Sequence, residues 1–236
     1  MRRHLFAVAL AAVLLAGCGG AGVQPTPAPP TPTPTPAQIA QQSAAAMAGV
    51  HSVHVKLDLQ GQVPPTVFGF QVTSAEGDAV APDQLHAKLK ARMGPNPVDS
   101  ELVVLGAEKF IKNPLSGKFE ALTVPLGTLA LLDKDHGAPL LLHKLADPIV
   151  SGREAVDGVD SEVIAGTLSP ADLAPLVTGL PPASAPVKAQ AWIGASDRLV
   201  RKVRLEGPIS QGEPAAIVRT LLLSSFNEDV TIKRPA

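Results

Sequence analysis

The 236 residues carry a formal net charge of −1, from 20 Lys and Arg against 21 Asp and Glu, with 45% apolar but only 3% aromatic side chains. A near-neutral chain with no tyrosine and a single tryptophan, Trp192, lacks both the positive field that draws nucleic acid and the ring surfaces that hold unstacked bases. Its one cysteine, Cys18, leaves no partner for an internal disulfide, so a domain of this size must rest on a buried apolar core.

The chain begins with Arg2 and Arg3, followed by an uncharged run from Leu5 to Leu15 and then Ala16-Gly17-Cys18. A basic start, an apolar stretch and small residues are the layout of a secretory signal. The run of about eleven residues is too short to cross a bilayer, which takes roughly 20. Leu15-Ala16-Gly17-Cys18 resembles the bacterial lipobox, with a plain secretory signal and an incidental cysteine as the competing reading. The resemblance implies that residues 1–17 are removed and that the Cys18 thiol takes a diacylglyceryl group. The protein is then expected to be lipid-anchored at the extracytoplasmic face of the cell membrane. Two or more acyl chains make such an anchor lasting, where one holds only marginally. Residues 18–36 follow as a tether, because Pro25, Pro27, Pro29, Pro30, Pro32, Pro34 and Pro36 favour polyproline II over a packed structure. Twelve such residues at about 3.1 Å each reach roughly 37 Å.

The domain proper is expected over 37–236. Ala37 to Gly49 combines strong helix formers with a closing glycine, and Ile39, Ala40, Ser43 and Met47 fall on one stripe. From Ser52 to Gln60 the period changes to two: Val53, Val55, Leu57 and Leu59 alternate with His54, Lys56, Asp58 and Gln60, as in a strand with one buried face. Phe68, Phe70 and Val72 alternate before Glu76-Gly77-Asp78, which reads as a turn. Leu85, Ala87, Leu89, Ala91 and Met93 then alternate with His86, Lys88, Lys90 and Arg92. A hairpin is expected around Gly106-Ala107. Leucines at helical spacing from Leu126 to Leu145 predict two short helices broken near Gly137. Strands follow at Ile149 to Val156 and Ser161 to Leu168. Ser169-Pro170-Ala171-Asp172 opens a helix, with a capping serine and proline at the first helical position. Strands at Val187 to Ile193, Leu199 to Glu206, Ile217 to Phe226 and Val230 to Lys233 complete the chain. This order predicts an α+β fold: a single strongly curved antiparallel sheet with a few helices on one face.

Chemistry-bearing clusters are sparse. Asp133, Asp135, His136 and His143 lack the spacing of a calcium loop or an HExxH zinc helix, and read as a polar helix end rather than a metal site. There is no G-x-S-x-G elbow, and the only thiol is the one assigned to the anchor. No catalytic residue, metal or cofactor is therefore assigned. His86, Lys88, Lys90 and Arg92 form a basic strand face, read as a solvated exterior with contact to anionic headgroups as the alternative.

The order of elements resembles that of the LppX/LprA/LprF/LprG lipoproteins and, more distantly, the LolA/LolB carriers. The resemblance is carried by the lipobox, Gly49-Val50-His51-Ser52-Val53-His54-Val55, Asp99 to Leu105 before Lys109-Phe110-Ile111, and Gly158-Val159-Asp160. It continues through Ala191-Trp192-Ile193, Asp197 to Val200 and the closing Phe226 to Pro235, and so covers nearly all of the domain. The proline-threonine tract is longer than the group's pattern, and Leu126 to Leu145 matches it poorly. The resemblance implies a half-barrel whose helix-covered concave face encloses an apolar cavity for the acyl chains of a lipid or glycolipid, carried or presented in the envelope. Val53, Val55, Leu57, Leu59, Phe68, Phe70, Leu85 and Leu89 are the candidate lining residues. The partners implied are that lipid, the membrane through the N-terminal anchor, and envelope transport proteins. The competing reading is an anchored structural or interaction module with a filled core and no lipid.

Overall fold

The alternating run of 52–60 forms β1 (Ser52–Gln60), the middle strand of an eleven-stranded sheet. The computed structural model describes residues 33–61, 69–122, 127–178 and 180–235. Cys18, most of the proline tract and Phe68 lie outside these. Residues from Pro34 onward form one compact unit.

The other strands are β2 (Gln71–Val80), β3 (Gln84–Met93), β4 (Asn96–Leu105), β5 (Glu108–Lys112), β6 (Phe119–Ala121), β7 (Ala146–Val156), β8 (Val159–Leu168), β9 (Val187–Gly194), β10 (Val200–Glu206) and β11 (Val218–Ser224). All pairs are antiparallel, in the order β6-β5-β4-β3-β2-β1-β11-β10-β9-β8-β7. The chain thus winds outward from β1 to one edge, crosses to the other edge, and returns to close against β1. The edges β6 and β7 are unpaired with one another, so the sheet is open rather than a closed barrel.

Three helices cover one face. The first, α1 (Pro36–Ala48), starts one residue before the expected boundary because Pro36 occupies its first position, where a missing N–H costs nothing. Thr35 and Gln38 close a reciprocal capping box, and Gly49 caps the other end. The expected stripe of Ile39, Ala40, Ser43 and Met47 is buried. In α3 (Pro170–Val177) the Ser169 hydroxyl accepts from the N–H of Ala171 at 3.2 Å, as its sequence anticipates. Between β6 and β7 the described residues form one short helix, α2 (Ala138–His143), where two were expected. Residues 127–137 instead run as turns that seat on α3: the N–H groups of Thr128 and Leu129 donate to the carbonyls of Pro175 and Leu176, each at 2.9 Å. Those bonds satisfy carbonyls that the end of a helix leaves free. Gly127 permits the contact, since a Cβ there would come within 2.3 Å of the Leu176 backbone.

Two expectations about strands fail. Glu76-Gly77-Asp78 is not a turn but mid-strand in β2, with the turn postponed to residues 81–83. Its polar residues face outward onto β1, and its glycine lets β3 approach: a Cβ at Gly77 would lie 1.9 Å from the His86 carbonyl oxygen. Val230 to Lys233 adds no strand. The segment from Ser225 onward is a strap fixed at both ends. At the near end Asn227 bonds the backbone of His51 and Ser52. At the far end Arg234 pairs with Glu108 at 3.0 Å and lies over the Phe110 ring.

Candidate functional site

The period-two pattern sends alternate side chains to the helix-covered face, and the register sets which of them meet. One inward row runs Ile164, Ala191, Val203, Leu221, Leu57, Ala75, Leu89 across β8 to β3. The next runs Leu223, Val55, Gly77, Ala87, Leu102. The second row sets Gly77 beside Ala87 on β2 and β3, and the first carries Ala75 on β2 and Ala191 on β9. Small side chains on the sheet opposite leucine-rich helices leave volume unfilled, because the backbones cannot close the gap.

That volume is an apolar cavity of about 340 Å³. Its floor takes residues from seven neighbouring strands, β8 round to β3. At about 4.8 Å between strands those seven would span roughly 29 Å if flat, so the sheet must curl for them to face one space. The roof is Met47 of α1, the leucines of 129–145 including Leu141 and Leu142 of α2, and Leu173 and Leu176 of α3. Those leucines were read from sequence as a helical insert, and their role as a lid surface is visible only in the fold. No helix among the described residues is long and apolar enough to cross a membrane.

Of the candidate lining residues, Val55, Leu57, Leu59 and Leu85 border this cavity. Val53, Phe70 and Leu89 do not. They are buried in the packed core beside it, Phe70 completely.

A buried ion pair interrupts the wall. Arg219 continues the inward phase of Leu221 and Leu223 on β11, and Glu213 reaches it from the β10–β11 loop. The two side chains are each 7% exposed and paired at 2.6 Å. Arg219 also donates to the Gly207 carbonyl at 3.2 Å, and Glu213 accepts from the N–H of Ile209 at 2.7 Å. The phase of β11 places Arg219 on the apolar face, so the arginine was readable as an anomaly; its partner in the loop was not.

This geometry accords with the comparisons to known proteins. The LppX_LprAFG lipoprotein family model matches residues 35–232. The chain belongs to that family. Its relatives include the lipoarabinomannan carrier protein LprG of Mycolicibacterium smegmatis, 28% identical over 242 residues covering 99% of this chain and 96% of the relative. The putative diacylated glycolipid transporter LprF of Mycobacterium tuberculosis is 28% identical over 255 residues, covering 98% and 90%. Among solved structures, LprF from Mycobacterium bovis superposes with a TM-score of 0.67 at 25% identity, covering 87% of this chain and 99% of that one. LppX from Mycobacterium tuberculosis gives 0.61 at 22%, covering 84% and 98%, and shares the fold.

Outside the cavity, the LppX_LprAFG sheet of this chain is strongly polar over β1 to β5. Its cross-strand rows alternate in sign: Lys56, Glu76, Lys88, Glu101 and Lys112 stand opposite one another in turn. Lys112 pulls the Glu101 carboxyl below its ordinary range, with burial opposing and His86 adding to the effect. Hydrogen bonding to Asp78 at 2.7 Å is the main cause that raises His54 above its ordinary value of 6.5; burial opposes, and Glu76 assists. Lys88 and Lys90 therefore face carboxylates rather than forming an open basic patch, which weakens their reading as a headgroup surface. A hollow of about 750 Å³ on this side is lined by charged groups of both signs.

Trp192 points outward too. It packs with Val156 and Val163, donates from Nε1 to Glu154 at 2.6 Å, and carries the Lys202 ammonium 4.1 Å above its ring. The Asp133 carboxylate is engaged by the N–H groups of Asp135 and His136 at 2.8 Å each. Those bonds outweigh its burial and hold its pKa low. Among the described residues no group of three metal-ligating side chains converges.

Proposed function

We propose that this chain is a membrane-anchored lipoprotein that takes the acyl chains of a lipid or glycolipid into the cavity between sheet and helices and carries or presents them in the cell envelope. In this reading residues 1–17 are a removed signal peptide, Cys18 bears the anchor, residues 18–36 are the tether and residues 37–236 the lipid-binding domain. The observation that carries it is the cavity itself: space of a size typical for small-ligand sites, apolar on floor and roof, in a family whose relatives include a named lipoarabinomannan carrier. Burying one sixteen-carbon chain is worth about 12 kcal/mol at about 0.8 kcal/mol per methylene, before the costs of ordering it, so lining alone supplies the affinity. No bond is made or broken. The roof leucines must separate from the sheet for cargo to enter.

The test uses mass spectrometry on two preparations. The chain drawn from its native membrane should show acylated Cys18. The chain bearing Cys18→Ala, purified under native conditions, should retain a non-covalent acyl lipid. A spectrum of the bare polypeptide, together with no displacement of a fluorescent fatty acid, would overturn carriage and favour an interaction module.

A further inference from the structure

We infer that the Arg219–Glu213 pair reads the head of the lipid just beyond its acyl esters, selecting lipids that carry an uncharged hydroxyl or ester there over those that carry a phosphate. This rests on the lipid-carrier reading above, and sharpens it from any acyl lipid to one class.

The pair is the one place where the cavity lining combines a buried cation with a buried anion among the described residues. Glu213 cannot swing away freely. Its Oε2 accepts from the backbone N–H groups of Ile209 and Ser210, at 2.7 and 3.5 Å, as well as from Arg219. The carboxylate is thus a fixed part of the wall, and the positive charge of Arg219 is already answered. A phosphate arriving here would set a second anion beside Glu213 in apolar surroundings, where like charges repel with little screening.

A neutral polar group meets the opposite situation. The guanidinium has five N–H donors, of which the Gly207 carbonyl and Glu213 engage one each. An ester carbonyl can accept from those remaining. A hydroxyl of glycerol or of a sugar can do the same while donating to Oε1 of Glu213, which takes no hydrogen bond from the described residues. The hydrogen bonds are charge-assisted and made without bringing in net charge. The pair is tucked against the β10–β11 loop, so the polar group would sit at that end with the chains running over the Ala and Gly rows.

The test is displacement of a pyrene-labelled diacylglycerol from the full chain carrying Cys18→Ala, so that no anchor chains compete. Unlabelled dipalmitoylglycerol should displace the label at least about tenfold more effectively than phosphatidic acid with the same chains. Glu213→Gln, which leaves the arginine charge unanswered, should erase or reverse that ratio. Should that variant fold poorly, the double substitution Arg219→Leu with Glu213→Leu replaces the pair by apolar groups, and it should bind the label while losing the discrimination. Equal displacement by the two lipids in the background chain, or an unchanged ratio in a folded variant, overturns the inference and leaves carriage standing. Failure of the background chain to bind any of these lipids overturns carriage, and this inference with it.

Discussion

Across β1 to β5 the two faces of the same strands are built from opposite inventories. Outward, long charged side chains alternate in sign from Lys56 through Glu76, Lys88 and Glu101 to Lys112, so each can turn sideways to a neighbour. Inward, the rows hold Val55, Gly77 and Ala87, or Leu57, Ala75 and Leu89, and the small members leave a gap that the roof leucines do not fill. The lesson is that sidechain length, more than polarity, separates the two. The outer face sets opposite charges beside one another across its strands. The inner face is deficient in volume, and volume is what an acyl chain supplies.

The largest disturbance should come from Gly77→Val. The added atoms meet the His86 carbonyl, with the Cβ alone placed at 1.9 Å, so β2 and β3 must part. Urea unfolding should show a loss on the order of 3 kcal/mol, at the upper end for overpacking. A smaller effect on stability with a large one on cargo is expected for Ala191→Phe, whose ring enters the cavity from β9. Excluding three or four methylenes at about 0.8 kcal/mol each weakens acyl-lipid binding about a hundredfold, measured by titration, while the unfolding midpoint stays near that of the parent. If the ring fits without loss of binding, the inner face is not the site.

Lys88→Glu probes the outer face. It sets a third carboxylate between Glu76 and Glu101, and should cost about 0.5–1 kcal/mol, diminishing with added salt, with lipid binding unchanged. The smallest effect concerns His54. Its folded pKa lies above 6.5, so the protonated ring adds stability that is fully present below about pH 6.5 and is lost as the pH rises through the folded value. The side chain is a third exposed, so the change is modest. Titrating the imidazole by NMR should give a raised value that returns toward 6.5 in Asp78→Asn; an unshifted ring in the parent would remove His54 from the ladder.

How much was legible in advance varies along the chain. β1 was read at its observed ends, because nine residues of strict alternation fit a strand and nothing else. The next strand was misread at Glu76-Gly77-Asp78, since turn-forming composition is a local signal. Here β1 supplies His54 and Lys56 as cross-strand partners for those acids, and β3 approaches the glycine. Val53 and Leu89 share the buried phase with Val55 and Leu85, yet they fall in solid core. Phase fixes a face, and only the position of the roof along the strand decides whether that face meets a cavity or another side chain.

Composition, the apolar phase of each strand and the capping residues at Thr35 and Ser169 were set by the sequence on its own, because they depend on neighbours a few positions away. The curl of the sheet, the seating of Gly127, Thr128 and Leu129 on α3 and the meeting of Glu213 with Arg219 were decided by tertiary structure. Those contacts join segments whose spacing carries no periodic signal. The cavity belongs to this second group: an unfilled volume is a property of packed surfaces, and a chain read one residue at a time has no surfaces to compare.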